Sequence, residues 1–258
     1  MVGLCRSTLY YTVKPGNDDK LTARILELAK EKKRWGAPLI HSVVKREKLV
    51  CNHKRTERIY YKVLKLSLKR RTRKKFHFIQ RVSMSAPTGP NQCWAIDFVH
   101  DCLNNGRKYK VLNVLDEYTR ECIGTEVDTS IGGVRVTRIL ERLCDIYGKP
   151  ESIRSDNGPE FTSKAMDEWA YRKGVTLNFI APGKPTQNAF VESFNGTMRE
   201  DCLNSNWFGT IEEARSVIEN WREEYNGFRP HSSLKGMTPL EFARKESENI
   251  KFNNLAVV

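Results

Sequence analysis

Asp97 stands in the middle of an apolar run, Cys93-Trp94-Ala95-Ile96-Asp97-Phe98-Val99. Such a run reads as a strand, and a carboxylate inside it is costly to desolvate unless it is paired or bound to a cation. Asp156 closes a second short strand in Ile153-Arg154-Ser155-Asp156-Asn157-Gly158-Pro159-Glu160-Phe161. The carboxyl ends of strands are where open α/β sheets place ligands. Glu192 lies in Asn188-Ala189-Phe190-Val191-Glu192-Ser193-Phe194-Asn195-Gly196, on a helix beyond a loop holding Pro182, Gly183 and Pro185, with 35 residues between it and Asp156. Each acid alone has an ordinary explanation: a strand acid facing solvent, a turn-making Asp before Asn-Gly, a surface helix Glu. In this order, with these flanks, they require a fold in which two strands and a helix converge. Three converging carboxylates can hold a pair of hard divalent cations, Mg²⁺ or Mn²⁺, and such a pair cuts and joins phosphodiester bonds. Displacement is then in line at a phosphate, with water or a DNA 3′-hydroxyl as nucleophile. No nucleophilic Ser or Tyr is needed.

The surrounding pattern is that of a mixed α/β sheet. Strands are expected at 93–99, 108–116, 121–127, 151–155 and 175–180, with Asn104-Asn105-Gly106 turning the first hairpin. Helices are expected at 132–147, 162–173 and from the loop after residue 186 to about 204. Ahead of the sheet, apolar residues at helical spacing predict three short helices at 18–34, 38–48 and 53–64, the third with Lys54, Arg55 and Arg58 on its outer side. Three short helices with a basic third one suit a DNA-binding trihelical module. Residues 3–11 look like the turn and second helix of a helix-turn-helix whose first helix is missing.

Charge separates these regions. Residues 1–90 hold 23 Lys/Arg against 6 Asp/Glu, whereas residues 91–258 hold 21 against 25. The excess is dense between 62 and 75, where Arg70, Arg71 and Arg73 lie in a stretch without an acid. A basic arm beside a nearly neutral chemical domain suggests duplex DNA as partner. No run of 18 apolar residues appears, so no membrane span is expected. Seven cysteines without a Cys-x-x-Cys pair read as reduced thiols of a cytoplasmic protein.

The Glu192 helix places Asn188, Asn195 and Arg199 on nearly the same face as Glu192, since 3, 4 and 7 residues are one or two turns. That face suits a metal-bound phosphate, and the opposite side can pack Phe190, Phe194 and Met198.

At this point the chain resembles the second-reading-frame transposases of bacterial insertion sequences, whose core is similar to retroviral integrases. The three acidic motifs and their spacing carry the resemblance. So does Tyr225-Asn226-Gly227-Phe228-Arg229-Pro230-His231, which looks like the family's downstream signature. The resemblance implies a ribonuclease-H-like core with Asp97, Asp156 and Glu192 as catalytic and metal-holding residues. It implies metal-dependent cutting and strand transfer at element ends, and an upstream reading frame as partner or fusion. Expected DNA contacts are Lys54, Arg55, Arg58, Arg70, Arg71, Arg73, Asn157, Lys184, Asn188, Asn195, Arg199, Arg229 and His231. The zinc module of retroviral integrases is absent, because Cys51-Asn52-His53 is not that pattern.

The expected layout is a partial helix-turn-helix at 1–15, a helix-turn-helix module at 16–66 and a basic linker at 67–90. The catalytic core follows at 91–205, then a helical extension at 206–258 that has apolar residues enough to pack on its own core or on another subunit. Joining two ends needs two active sites, which points to a homo-oligomer on DNA. Two alternatives stay open: a ribonuclease-H-like nuclease, which a strand-transfer assay separates, and a non-catalytic DNA-binding product of a decayed element.

Overall fold

The computed structural model describes residues 18–68, 86–180 and 188–255. The chain divides into two compact units, within residues 1–71 and 72–258. The helix-turn-helix remnant expected at 1–15 and most of the expected linker lie outside the described residues.

The first unit is all-helical. It comprises α1 (Asp19–Glu31), α2 (Ala37–Arg46) and α3 (His53–Glu57), the last running on as a π-helical stretch, Arg58–Val63. Leu21, Ile25 and Leu28 recur at helical spacing and are buried with Ile40, Val43, Val44 and Ile59. Pro38 sits in the first turn of α2, where its missing N–H leaves no helical bond unmade. Asn52 caps α3 by accepting the Lys54 backbone N–H at 3.0 Å.

The second unit is built on five strands in the order β3-β2-β1-β4-β5. β1 (Cys93–Cys102), β2 (Lys108–Asp116) and β3 (Cys122–Asp128) form an antiparallel meander. The first hairpin closes where expected, with Gly106 at φ +80°. Helix α4 (Gly133–Tyr147) then leads to β4 (Ser152–Ser155), parallel to β1, and α5 (Lys164–Lys173) leads to β5 (Thr176–Phe179), parallel to β4. β1 is therefore the middle strand, with a neighbour on each side and helices over both faces. That is why its residues are apolar in both directions rather than alternating.

Helices α4 and α5 cover one face, where Trp94, Ile96, Leu112, Val114, Leu140 and Trp169 form one core cluster. Helices α6 (Ala189–Asp201) and α7 (Ile211–Gly227) cover the other, against Val99, Val111 and Leu115. Phe208, Ala214, Ile218 and Tyr225 belong to this second cluster, so the segment after residue 205 packs on the chain's own sheet. A last helix, α8 (Pro239–Leu255), follows. Among the described residues no helix is long and apolar enough to cross a membrane.

Candidate active site

Strand pairing brings two of the acids together. β1 and β4 run parallel with Ala95 opposite Arg154. Asp97 stands two residues beyond Ala95 on β1, and Asp156 two residues beyond Arg154, just past the end of β4, so the two acids leave the paired segment in the same direction. Asp97 pairs across the other side with Asn113 of β2. By strand alternation Asp97 shares a face with Val99, which is the face that α6 covers. Helix α6 lies there because Val191, Phe194 and Met198 are buried, and this leaves Glu192 on its exposed side.

The Asp97 carboxylate is held at both oxygens. Oδ1 accepts the Phe98 backbone N–H at 2.8 Å. Oδ2 accepts Nδ2 of Asn195 at 2.8 Å, and Oδ1 of Asn195 accepts Nδ2 of Asn113 at 2.7 Å. Burial pushes the Asp97 carboxyl up from 3.8 to about 6 against the pull of the Phe98 N–H, and the charges of Asp156 and Glu192 push it the same way. The three acids thus share one electrostatic neighbourhood. Among the described residues, however, no three His, Cys, Asp or Glu side chains are gathered into a group that could grip a metal ion as they stand. The donor set itself fits a hard divalent cation: all three groups are carboxylates, and a cation would relieve the repulsion felt at Asp97. A fourth nearby acid, Glu160, is already neutralised by Lys110, whose Nζ lies 2.5 Å from it.

The expected phosphate-facing side of α6 is narrower than the helical spacing implied. Asn188 is only 2% exposed at the N-cap position, and its Oδ1 is buried without a hydrogen-bond partner. Asn195 is turned inward onto Asp97. Arg199 stays on the open side and donates Nη2 to the His100 carbonyl at 2.7 Å, tying α6 to β1. Phe190, expected inside, is exposed, with the Arg120 guanidinium 3.3 Å above its ring.

Arg229 and His231 are not on an open basic face. Arg229 is ion-paired with Asp201, and the His231 ring lies edge-on to Tyr225 at 4.8 Å with Nε2 buried. Burial, with the Arg229 and Arg120 charges behind it, lowers His231 from 6.5 to about 4, so it is neutral at pH 7. Asn157 is exposed and donates Nδ2 to the Ile180 carbonyl at 2.9 Å. In the first unit Lys54 is exposed, while Arg55 and Arg58 both pair with Asp18. Arg70, Arg71, Arg73 and Lys184 lie outside the described residues. Asn113 is the site residue that sequence reading missed. Its one signal was a lone amide among the apolar residues of a strand.

A mixed sheet in this order, with acids on its middle strand, at the end of the parallel neighbour and on a covering helix, defines an integrase-type core of the ribonuclease-H-like fold. Comparisons with known proteins agree. The integrase core domain family matches residues 87–185 and again 173–239. The HTLV-2 integrase catalytic core domain, solved in complex with magnesium, superposes with a TM-score of 0.50 at 18% identity, over 60% of this chain and 98% of that one. The 31.7 kDa protein of insertion element IS407 from Burkholderia multivorans is 48% identical over 246 residues, 95% of this chain and 88% of that protein. The transposase for insertion sequence element IS904 from Lactococcus lactis is 25% identical over 84% of this chain and 90% of its own length. The chain belongs to the insertion-element transposases that carry an integrase core.

Proposed function

We propose that Asp97, Asp156 and Glu192 are the catalytic carboxylates of a transposase that cuts and rejoins DNA at the ends of an insertion sequence. The observation that supports this reading is the β1–β4 register, which puts Ala95 opposite Arg154 two residues before each Asp, together with the Asn195–Asp97 hydrogen bond, which ties the Glu192 helix to β1. Asp97, Asp156 and Glu192 would hold a pair of divalent cations, Mg²⁺ by preference or Mn²⁺, which would supply charge stabilisation at the phosphate and a lowered pKa for the attacking water or 3′-hydroxyl. The chain's own groups do the positioning. Phe98 N–H and Asn195 Nδ2 fix both Asp97 oxygens, so the carboxylate meets its ligand in one rotamer. Phe98 stacks on Phe161 at 5.1 Å and keeps that side of the site apolar. Arg199 is left on the open side of α6, where its charge can meet a DNA phosphate.

The remaining layout follows from this reading. Residues 16–66 act as the helix-turn-helix module, with Lys54 on phosphate and Arg55 and Arg58 exchanging Asp18 for it. Residues 67–90 track the backbone as a basic linker, 91–205 carry the chemistry and 206–258 extend the core. Two such sites, in a homo-oligomer on paired ends and with an upstream-frame partner or fusion, complete the reaction. Sedimentation on paired ends is expected to show more than one copy.

In a strand-transfer assay with a labelled 3′-hydroxyl end, Asp97→Asn, Asp156→Asn and Glu192→Gln are each expected to abolish joining while end binding in a gel shift survives. Joining by any one of the three variants overturns the assignment.

A further inference from the structure

We infer that Tyr225, Asn226 and Arg229 form an internal clasp that holds helix α6, and with it Glu192, against the sheet, and that this signature works inside the protein rather than on DNA. The inference rests on the reading of Glu192 as catalytic.

Helix α6 has no side-chain cap hydrogen bond at its N-terminus, and contacts further along it help to fix its position. Two residues from Glu192, the Phe194 ring meets the edge of the buried Tyr225 ring at 4.8 Å. Successive helical positions turn by about 100°, so Phe194 faces away from Glu192, and its contact sets the helix's rotation about its own axis. At the far end, Asp201 is the last residue of α6 and pairs with Arg229. Their side chains are 13% and 18% exposed. That pair sets the helix along its axis.

The clasp is in turn anchored to the sheet. Oδ1 of Asn226 accepts the Cys122 backbone N–H and its Nδ2 donates to the Cys122 carbonyl, both at 2.9 Å. The amide thereby pairs with the first residue of β3 much as another strand would. His231 closes the following turn: its backbone N–H reaches the Met237 carbonyl at 3.0 Å and its carbonyl accepts the Gly236 N–H at 2.8 Å. Rigid connections therefore run from the sheet edge through Asn226 to Tyr225 and Arg229, and from these to the Glu192 helix. Displacing a catalytic group by about 1 Å can slow a reaction about a hundredfold, so a helix that carries one acid needs such a brace.

The test uses the full chain and measures strand-transfer rate at saturating end DNA, half-saturating DNA concentration and its salt dependence. Three variants are compared: Asp201→Asn, Arg229→Gln, and the charge exchange that combines Asp201→Arg with Arg229→Asp. A clasp requires that each single change lower the saturated rate by about tenfold or more. Half-saturation should stay within about twofold and the salt slope should not move, because no phosphate contact is lost. The exchange should restore most of the rate. The inference is overturned if Asp201→Asn tightens DNA binding, if Arg229→Gln weakens it and lowers the salt slope by about one, or if the exchange recovers nothing. Should the single variants fail to fold, recovery of folding and rate in the exchange supports the clasp, and no recovery overturns it. Glu192→Gln in the same assay tests the underlying reading: if it joins DNA, the active-site assignment fails whatever the clasp variants do.

Discussion

A carboxylate on a middle strand needs donors that choose one orientation for it, and at Asp97 one donor is the neighbouring Phe98 N–H while the side-chain donor comes from far away in sequence. Asn195 and Asn113 lie 98 and 82 positions from their partners in the relay. Because the ionised Asp97 carboxylate can only accept, Asn195 turns Nδ2 toward Oδ2 and Oδ1 toward Asn113, which fixes both amides. Asn195→Ala is expected to weaken divalent-ion affinity by about ten- to a hundredfold, the usual effect of losing an outer-shell partner. Mn²⁺ titration of the DNA-free protein measures this, and an unchanged affinity would remove Asn195 from that role. The acids stand out in the sequence because each sits in a local context that an ordinary surface acid lacks. Their amide partners do not, because strand pairing and helix placement decide which distant side chains meet. Arg229 and His231 show the complementary case: the fold pairs one with Asp201 and packs the other on Tyr225. The motif was visible, but a string of residues does not say which side of the chain faces inward.

At the scale of elements, the pattern of strands and helices was readable because short continuous apolar runs give way to apolar residues at helical spacing between them. The ends were less so. β1 runs on through His100 and Asp101 to Cys102, since His100 and Asp101 pair with Lys110 and Tyr109 of β2 although nothing in their chemistry favours a strand. Contacts between elements were invisible from either one alone. Gly133 opens α4 beside the cap of α5: a Cβ there would collide with Oγ of Ser163 and stand 2.9 Å from the Glu160 carbonyl oxygen. Ser163 cannot easily yield, because its hydroxyl donates to that carbonyl at 3.0 Å and caps α5 through the Met166 N–H. Gly133→Ala is expected to cost about 1–3 kcal/mol, the range for overpacking a filled site. It should also slow strand transfer, because residues 157–163 join Asp156 to that cap. Urea midpoints followed by near-ultraviolet circular dichroism measure the first effect, and a midpoint equal to that of the parent chain would show that the cap yields after all.

For the molecule as a whole, two core groups bend the dependence of stability on pH in opposite directions. Asp97 is raised from 3.8 to about 6. Its contribution is present below 3.8 and is lost as pH rises through 6, because the folded state keeps a proton that the unfolded chain has already released. His231 is lowered from 6.5 to about 4. Its contribution is present above 6.5 and is lost as pH falls toward 4, because the unfolded chain takes up a proton that the folded state refuses. Each amounts to about 3 kcal/mol over its window. Between pH 4 and 6 the proton differences have opposite sign, so the two slopes cancel. Removing either group should expose the other. With a chelator present, Asp97→Asn is expected to lose stability relative to the parent chain as pH falls from 6.5 to 4. His231→Phe, which keeps an aromatic ring against Tyr225, should instead lose it as pH rises from 4 to 6. Saturating Mg²⁺ favours the ionised form of Asp97, so the parent chain should then take on the acid-sensitive profile of Asp97→Asn. Urea midpoints across this range separate the cases. Parallel profiles for the parent chain and Asp97→Asn in chelator would mean that burial and the two neighbouring charges do not hold the Asp97 proton.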